Sequence, residues 1–245
     1  MKSLKLNTFK LSILFALIAQ TAMAQKISFG PNVGTYIPNK YGNNYQDSTF
    51  TSVLTDAGDG ERTIGLFIEY EKSKTLSLRG ELNYFPDYTS FSVYNYVKKC
   101  TFCQVTKVAV IAHRTLAFVP TAKVSLPLGN KLKTSLAGGI SINFQHRQSL
   151  PYLTENNGRD LGVWETFNAL DEMVRPVVLY YHYGGSIQYG RFTLTGRYMK
   201  NTGKSVFNDI VVYGKAYKFY AQSKYLFLML SYNMQGQLKK KQKKE

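Results

Sequence analysis

The chain is short of cysteine, histidine, acidic residues and long apolar runs. Its two cysteines, Cys100 and Cys103, make a lone Cys-x-x-Cys. A metal would want two more ligands, and none stands nearby in the sequence. His113, His146 and His182 are all the histidines present. Acidic residues number 15 against 31 lysines and arginines, a formal charge of +16. After Gln25 no apolar run approaches the ~20 residues that a membrane helix needs. The longest lie at 108–112 and 226–230. A membrane role would therefore use β-structure, since only helices and closed barrels satisfy their backbone in lipid. A single tryptophan beside 19 tyrosines and 15 phenylalanines is an aromatic profile typical of strands.

What is present begins with an export signal. Lys2, Lys5 and Lys10 precede a short apolar core at 11–19, and Ala22-Met23-Ala24 is an A-x-A cleavage site. Residues 1–24 are thus expected to be a cleaved signal peptide. The core is too short to span a bilayer. No cysteine follows it, which argues against a lipid anchor. Export changes the meaning of the charge. A basic chain suggests nucleic acid, but an exported chain rarely meets any. The expected partners are outer-membrane lipids, the phosphates of lipopolysaccharide, or an acidic protein. The plainer alternative is that the excess keeps the surface solvated.

Residues 115–145 carry the clearest pattern. Leu116, Phe118, Pro120, Ala122, Val124 and Leu126 alternate with Thr115, Ala117, Val119, Thr121, Lys123 and Ser125. After Gly129-Asn130, Leu132, Leu136, Gly138, Ile140, Ile142 and Phe144 take one face, and Lys133, Ser135, Ala137, Gly139, Ser141 and Asn143 the other. Period-two alternation on both sides of Gly-Asn predicts a long hairpin. One apolar face and one lysine-bearing face suit lipid outside and a wet or salt-bridged lumen inside.

The same alternation predicts strands at 27–37, 63–71, 75–85, 177–189, 192–198 and 219–233, with Phe227 and Met229 breaking the last pattern. Pro31 suggests a bulge or strand edge. Strands three and four are expected to continue past the membrane and meet at a tip around Cys100 and Cys103. Leu161, Trp164, Phe167, Leu170 and Val174 recur at helical spacing before Pro176 and predict a short amphipathic helix. Long connections fall at 38–62, 87–114, 146–175 and 201–218, the last with a strand expected near 210–213. Short ones follow Glu71, Leu126 and Tyr189. Eight strands with connections sorted by side predict an all-β fold: an eight-stranded antiparallel up-and-down transmembrane β-barrel with long extracellular loops and short periplasmic turns. It would occupy 25–234, followed by a disordered basic periplasmic tail at 235–245.

Phe29-Gly-Pro-Asn-Val-Gly34, Leu78-Arg-Gly-Glu-Leu-Asn-Tyr84, Phe118-Val-Pro-Thr-Ala-Lys-Val124, Leu136-Ala-Gly-Gly-Ile140 and Phe192-Thr-Leu-Thr-Gly-Arg-Tyr198 resemble a small outer-membrane barrel of the Bacteroidota, the PorT-like members of the OmpA-like group. The resemblance implies an eight-stranded barrel in the outer membrane and no catalytic residues. One departure is that such barrels commonly end on an aromatic, whereas Tyr232 is followed by Asn233, Met234 and a lysine-rich tail.

The inward face of the predicted strands collects Glu69, Glu71, Arg79, Glu81, Lys123, Lys133 and Arg197. Charges in so narrow a barrel should pair, either as an ion-selective pore or as a salt-bridged plug, and side chains fill a lumen of this size. Cys100 and Cys103 are candidates for a disulfide pinning the hairpin tip, with free thiols as the alternative. His113 and His146 lie near one rim but on opposite strand faces, which argues against a shared hydrolase site. His182 is expected among lumenal tyrosines as a hydrogen-bonded core residue. No enzyme and no cofactor is expected. The expected function is a structural or recognition scaffold whose loops at 87–114 and 146–175 bind a protein partner. A narrow channel for small solutes and an accessory role in secretion or envelope assembly are the alternatives.

Overall fold

The structure is a computed structural model and describes residues 26–42, 45–46, 50–56, 61–73, 75–95, 105–129, 131–148, 169, 172–212, 214–218 and 220–234. Eight long strands make the barrel: β1 (Lys26–Gly42), β4 (Glu61–Glu71), β5 (Leu76–Asn95), β6 (Val105–Pro127), β7 (Leu132–Gln148), β8 (Val177–Tyr189), β9 (Phe192–Asn201) and β12 (Ala221–Tyr232). Each pairs antiparallel with its neighbours in the chain. β1 also pairs with β12, so the ring closes without a free edge. Closure gives each of the eight strands two partners, as lipid requires.

β1 shows how closure is reached. Its ladder with β4 runs through Pro31, opposite Leu66, whereas its ladder with β12 begins one residue later, at Asn32 opposite Ser231. Proline has no N–H to give to β12. Gly30 sits at the same seam, where a Cβ would lie 1.8 Å from the Tyr232 carbonyl oxygen. Only glycine admits that approach. The short connections are tight. Lys72 N donates to Leu76 O at 3.0 Å, Leu128 N to Leu132 O at 2.9 Å, and Gly190 takes φ +60° in the turn before β9.

Several boundaries differ from the sequence reading. The expected loop at 38–62 begins later, because β1 runs on to Gly42, and it contains β2 (Tyr45–Gln46) and β3 (Phe50–Asp56). β3 pairs with the upper half of β5, Phe50 opposite Asn95 and Asp56 opposite Thr89. Polar Asn, Ser and Thr residues read as loop, but cross-strand pairing with a long neighbour overrides that weak local preference. In the connection at 201–218, β10 (Ile210–Val212) pairs with β11 (Lys215–Tyr217). Most of the expected helix at 161–174 lies outside the described residues, as do the signal peptide, Cys100, Cys103 and the basic tail.

Phe227 and Met229 do not break the pattern of β12. Both are buried in the lumen, with Tyr225 above and Ser231 below, while Leu226, Leu228 and Leu230 face outward. The alternation is intact; the inward face is simply apolar over this stretch. The core therefore lies inside the ring. β5 gives its layers in order, because its odd residues from Ser77 to Thr89 point inward: Ser77, Arg79, Glu81 and Asn83, then Phe85, then Asp87 and Thr89. A charged lower lumen, an aromatic middle and a second charged cluster follow one another towards the long connections.

Candidate functional site

The lower lumen is a connected ion network. Lys123 Nζ reaches both Glu69 oxygens, at 2.9 and 3.0 Å, and Ser77 Oγ donates to Glu69 Oε1 at 2.7 Å. Arg79 lies 3.5 Å from Glu69 and donates through Nε to Glu81 at 2.7 Å. Arg197 holds the other side of Glu81 with two hydrogen bonds, at 2.8 and 2.7 Å. Asn83 adds a third donor to Glu81 at 3.0 Å. Arg79 also donates to Ser231 Oγ at 2.8 Å, and its guanidinium stacks 3.9 Å from the centre of the Phe67 ring. Lys133 does not join this network. It meets Glu71 at 3.1 Å, nearer the mouth that bears the short turns and only partly buried. Buried charges are held only when paired and hydrogen-bonded, and Glu69 and Glu81 each have several donors.

Above the network the lumen is aromatic. Tyr36 and Phe85 have ring centroids 5.0 Å apart, and Tyr225 and Phe227 pack against both at 5.4–5.9 Å. The Tyr36 hydroxyl donates to the Pro86 carbonyl. Such tilted contacts suit ring quadrupoles.

A second charged cluster lies over this layer, centred on Asp87, which is fully buried. Lys40 Nζ bonds Asp87 Oδ1 at 2.7 Å, and it also donates to Tyr88 O and Thr89 Oγ1. His113 Nε2 and the Tyr225 hydroxyl both meet Asp87 Oδ2, at 2.9 and 2.6 Å. The connection at 201–218 folds down onto it. Val206, Phe207 and Met173 are buried in the same core cluster as Tyr180 and Tyr225. Val206 N donates to Ala221 O at 2.9 Å, Asn208 N to Met173 O at 2.7 Å, and Arg175 Nε to Phe207 O at 3.2 Å. The cavity among Lys40, Asp87, His113, Phe207 and Tyr225 has no room for a water-sized guest.

Sequence reading did not reach this cluster. Lys40 and Asp87 fell in segments read as connections. The signal was there: Glu81, Asn83, Phe85, Asp87 and Thr89 continue one inward series, as do Tyr36, Pro38 and Lys40. His113 and His146 point to opposite faces, the first buried and the second exposed. His182 is buried, with its ring 3.4 Å from Thr121 Oγ1 and 3.3 Å from the Pro120 carbonyl. Among the described residues no group of three metal-ligating side chains occurs.

The outer surface decides where the barrel resides. Ile64, Leu66, Ile68, Leu78, Leu82, Leu116, Phe118, Val124, Leu136, Ile140, Leu194 and Leu228 are all exposed on it. Polar groups are inside and the apolar belt is outside, the reverse of a soluble barrel. This is an outer-membrane β-barrel. The solved structures with a similar fold include three outer-membrane proteins. They are the Yersinia pestis attachment invasion locus protein Ail in complex with the heparin analogue sucrose octasulfate (10% identity, TM-score 0.40, 85% of this chain and 99% of that one), OprG of Pseudomonas aeruginosa (8%, 0.45, 85% and 94%) and the outer-membrane enzyme PagL (10%, 0.32, 84% and 98%). No family model matches the chain, and no curated protein does either. On the lipid side of this barrel the small residues Gly80, Pro120, Ala122 and Gly138 leave a shallow groove of about 700 Å³ between Ile68, Leu78 and Ile140.

Proposed function

We propose that this protein is a non-conducting, non-catalytic recognition scaffold of the outer membrane, whose extracellular connections bind a partner. The observation that carries the reading is the filling of the lumen at three levels. The Glu69–Arg79–Glu81–Arg197–Lys123 network, the Tyr36–Phe85–Tyr225–Phe227 layer and the Asp87 cluster under Val206 and Phe207 fill it with paired and packed side chains among the described residues. A rigid barrel that passes nothing through its centre works at its ends. β5 and β6 continue well beyond the belt, to Asn95 and from Val105, and β3 widens that sheet. Such an extended sheet offers backbone and side chains to a protein partner.

Outer-membrane lipids, lipopolysaccharide among them, are the second class of partner in this reading, given the apolar belt and the basic composition. In the same reading the charged residues act as a plug, Cys100 and Cys103 close the hairpin tip, residues 1–24 are removed on export, and 235–245 extend into the periplasm as a basic tail. The resemblance to PorT-like barrels of the Bacteroidota suggests the wider group.

Two measurements test this. Purified protein in planar bilayers should show no stepwise conductance; steady channels would sink the plug. Shortening 88–111 to a tight turn should leave heat-modifiable gel mobility intact and abolish adhesion of expressing cells to a protein-coated surface that the full chain binds. Unchanged adhesion would remove that hairpin from the reading.

A further inference from the structure

The outward face of the eight barrel strands carries charge of one sign only. Among the described residues its basic side chains are Arg62, Arg114, His146, Lys200 and Lys224, and it has no carboxylate. All five stand in the half of their strands that bears the long connections, at the upper edge of the apolar belt.

Two of them are set against each other. Lys200 on β9 and Lys224 on β12 are direct cross-strand partners, and both side chains point outward. Like charges directly opposite are destabilising. No ion pair with a described carboxylate relieves either one. Tyrosines surround the pair instead. Lys224 Nζ lies 4.3 Å from the centre of the Tyr41 ring, and Tyr181 is the cross-strand neighbour of Lys200 on the far side. Tyr41, Gln222 and Tyr220 are linked by hydrogen bonds, which fixes the border of the site. Directly below, the surface turns apolar: Leu226 is the neighbour of Tyr198 on β9 and of Ile37 on β1. Two lysines paired across adjacent strands above an apolar strip match a molecule with an anionic head and hydrocarbon tails.

We propose that Lys200 and Lys224 hold a phosphate of an outer-leaflet lipid, the phosphorylated lipid A part of lipopolysaccharide. The phosphate sits between the two ammonium groups and replaces their repulsion with charge-assisted hydrogen bonds. Tyr41 and Tyr181 line the head group, and acyl chains lie along Ile37, Leu226 and Tyr198. This rests on the lipid part of the proposed function and is independent of the protein-binding loops.

The test uses the full mature chain folded into phosphatidylcholine vesicles, with bisphosphorylated lipid A, dephosphorylated lipid A or neither. Lipid bound per barrel is read by native mass spectrometry after detergent extraction. Wild type should retain the phosphorylated form over the dephosphorylated one. Lys200→Ala/Lys224→Ala should weaken that retention by about tenfold or more, the scale of losing one to two charge-assisted contacts. Lys200→Arg/Lys224→Arg should keep it. Heat-modifiable mobility checks that each variant is folded, and the arginine variant serves if the alanine variant is not. Equal retention by wild type and a folded alanine variant overturns the site while leaving lipid binding in place. Retention indifferent to phosphate overturns the phosphate assignment. No retention by wild type overturns the lipid reading as well.

Discussion

Arg197 grips Glu81 across the whole width of the barrel. Their strands, β9 and β5, are four steps apart in a ring of eight, and the two parallel hydrogen bonds measure 2.8 and 2.7 Å. A bidentate guanidinium–carboxylate pair is directional. This one spans the lower lumen, and Arg79 shares the same carboxylate from the side.

Glu81→Ala is therefore expected to be severe. It leaves Arg79 and Arg197 facing each other in a closed lumen with one carboxylate fewer. Breaking a buried pair from one side costs about 3–5 kcal/mol. Glu71→Ala at the partly exposed mouth should cost about 1 kcal/mol or less. Urea titration of both variants in lipid vesicles, followed by gel mobility, checks the contrast. Equal losses would show that the network does not bear the load assigned to it.

Asp87 collects Lys40, His113 and Tyr225 on one carboxylate. Asp87→Asn keeps the shape but removes the negative charge facing the Lys40 ammonium, again at about 3–5 kcal/mol. Double-mutant analysis with Lys40→Met should recover part of the loss, because removing both charges leaves no ion unpaired. Strictly additive losses would dissolve the coupling.

Phe207 ties the connection at 201–218 to the barrel mouth. Phe207→Ala should cost about 3–5 kcal/mol of local packing. Limited proteolysis of intact cells should then cut within this connection, while the barrel keeps its mobility. A connection as resistant as in wild type would mean that Ser205, Val206 and the β10–β11 hairpin suffice to hold it.

Gly30 is expected to tolerate no side chain. Gly30→Ala places a methyl on the Tyr232 carbonyl, at the seam where β12 meets β1. The outcome is a chain that pairs most of its strands but closes slowly. Folding kinetics into vesicles would show this, and Gly196→Ala is the control, since its added carbon meets nothing nearby. Equal rates for the two would remove the steric account of closure.

The sequence alone determined the ring. Alternation is a local property of period two, so Leu116 to Leu126 and Lys123 were assigned to their faces without any partner in view. The sorting of short and long connections then left one topology. Which charge meets which was decided only by the tertiary structure. Lys133 could be assigned to the lumen by parity, yet stagger between strands carries it to Glu71 and gives Glu69 to Lys123. Arg197 reaches Glu81 only because closure places β9 opposite β5. Lys40 and Asp87 were missed for the same reason. Their surroundings look polar along the chain, and they become core only when the connection at 201–218 folds over them. Phe227 and Met229 seemed misplaced because one strand cannot reveal that the interior facing it is aromatic. The cross-strand lysines lay in plain sight, but β9 and β12 had to be paired before Lys200 and Lys224 could be seen to oppose each other.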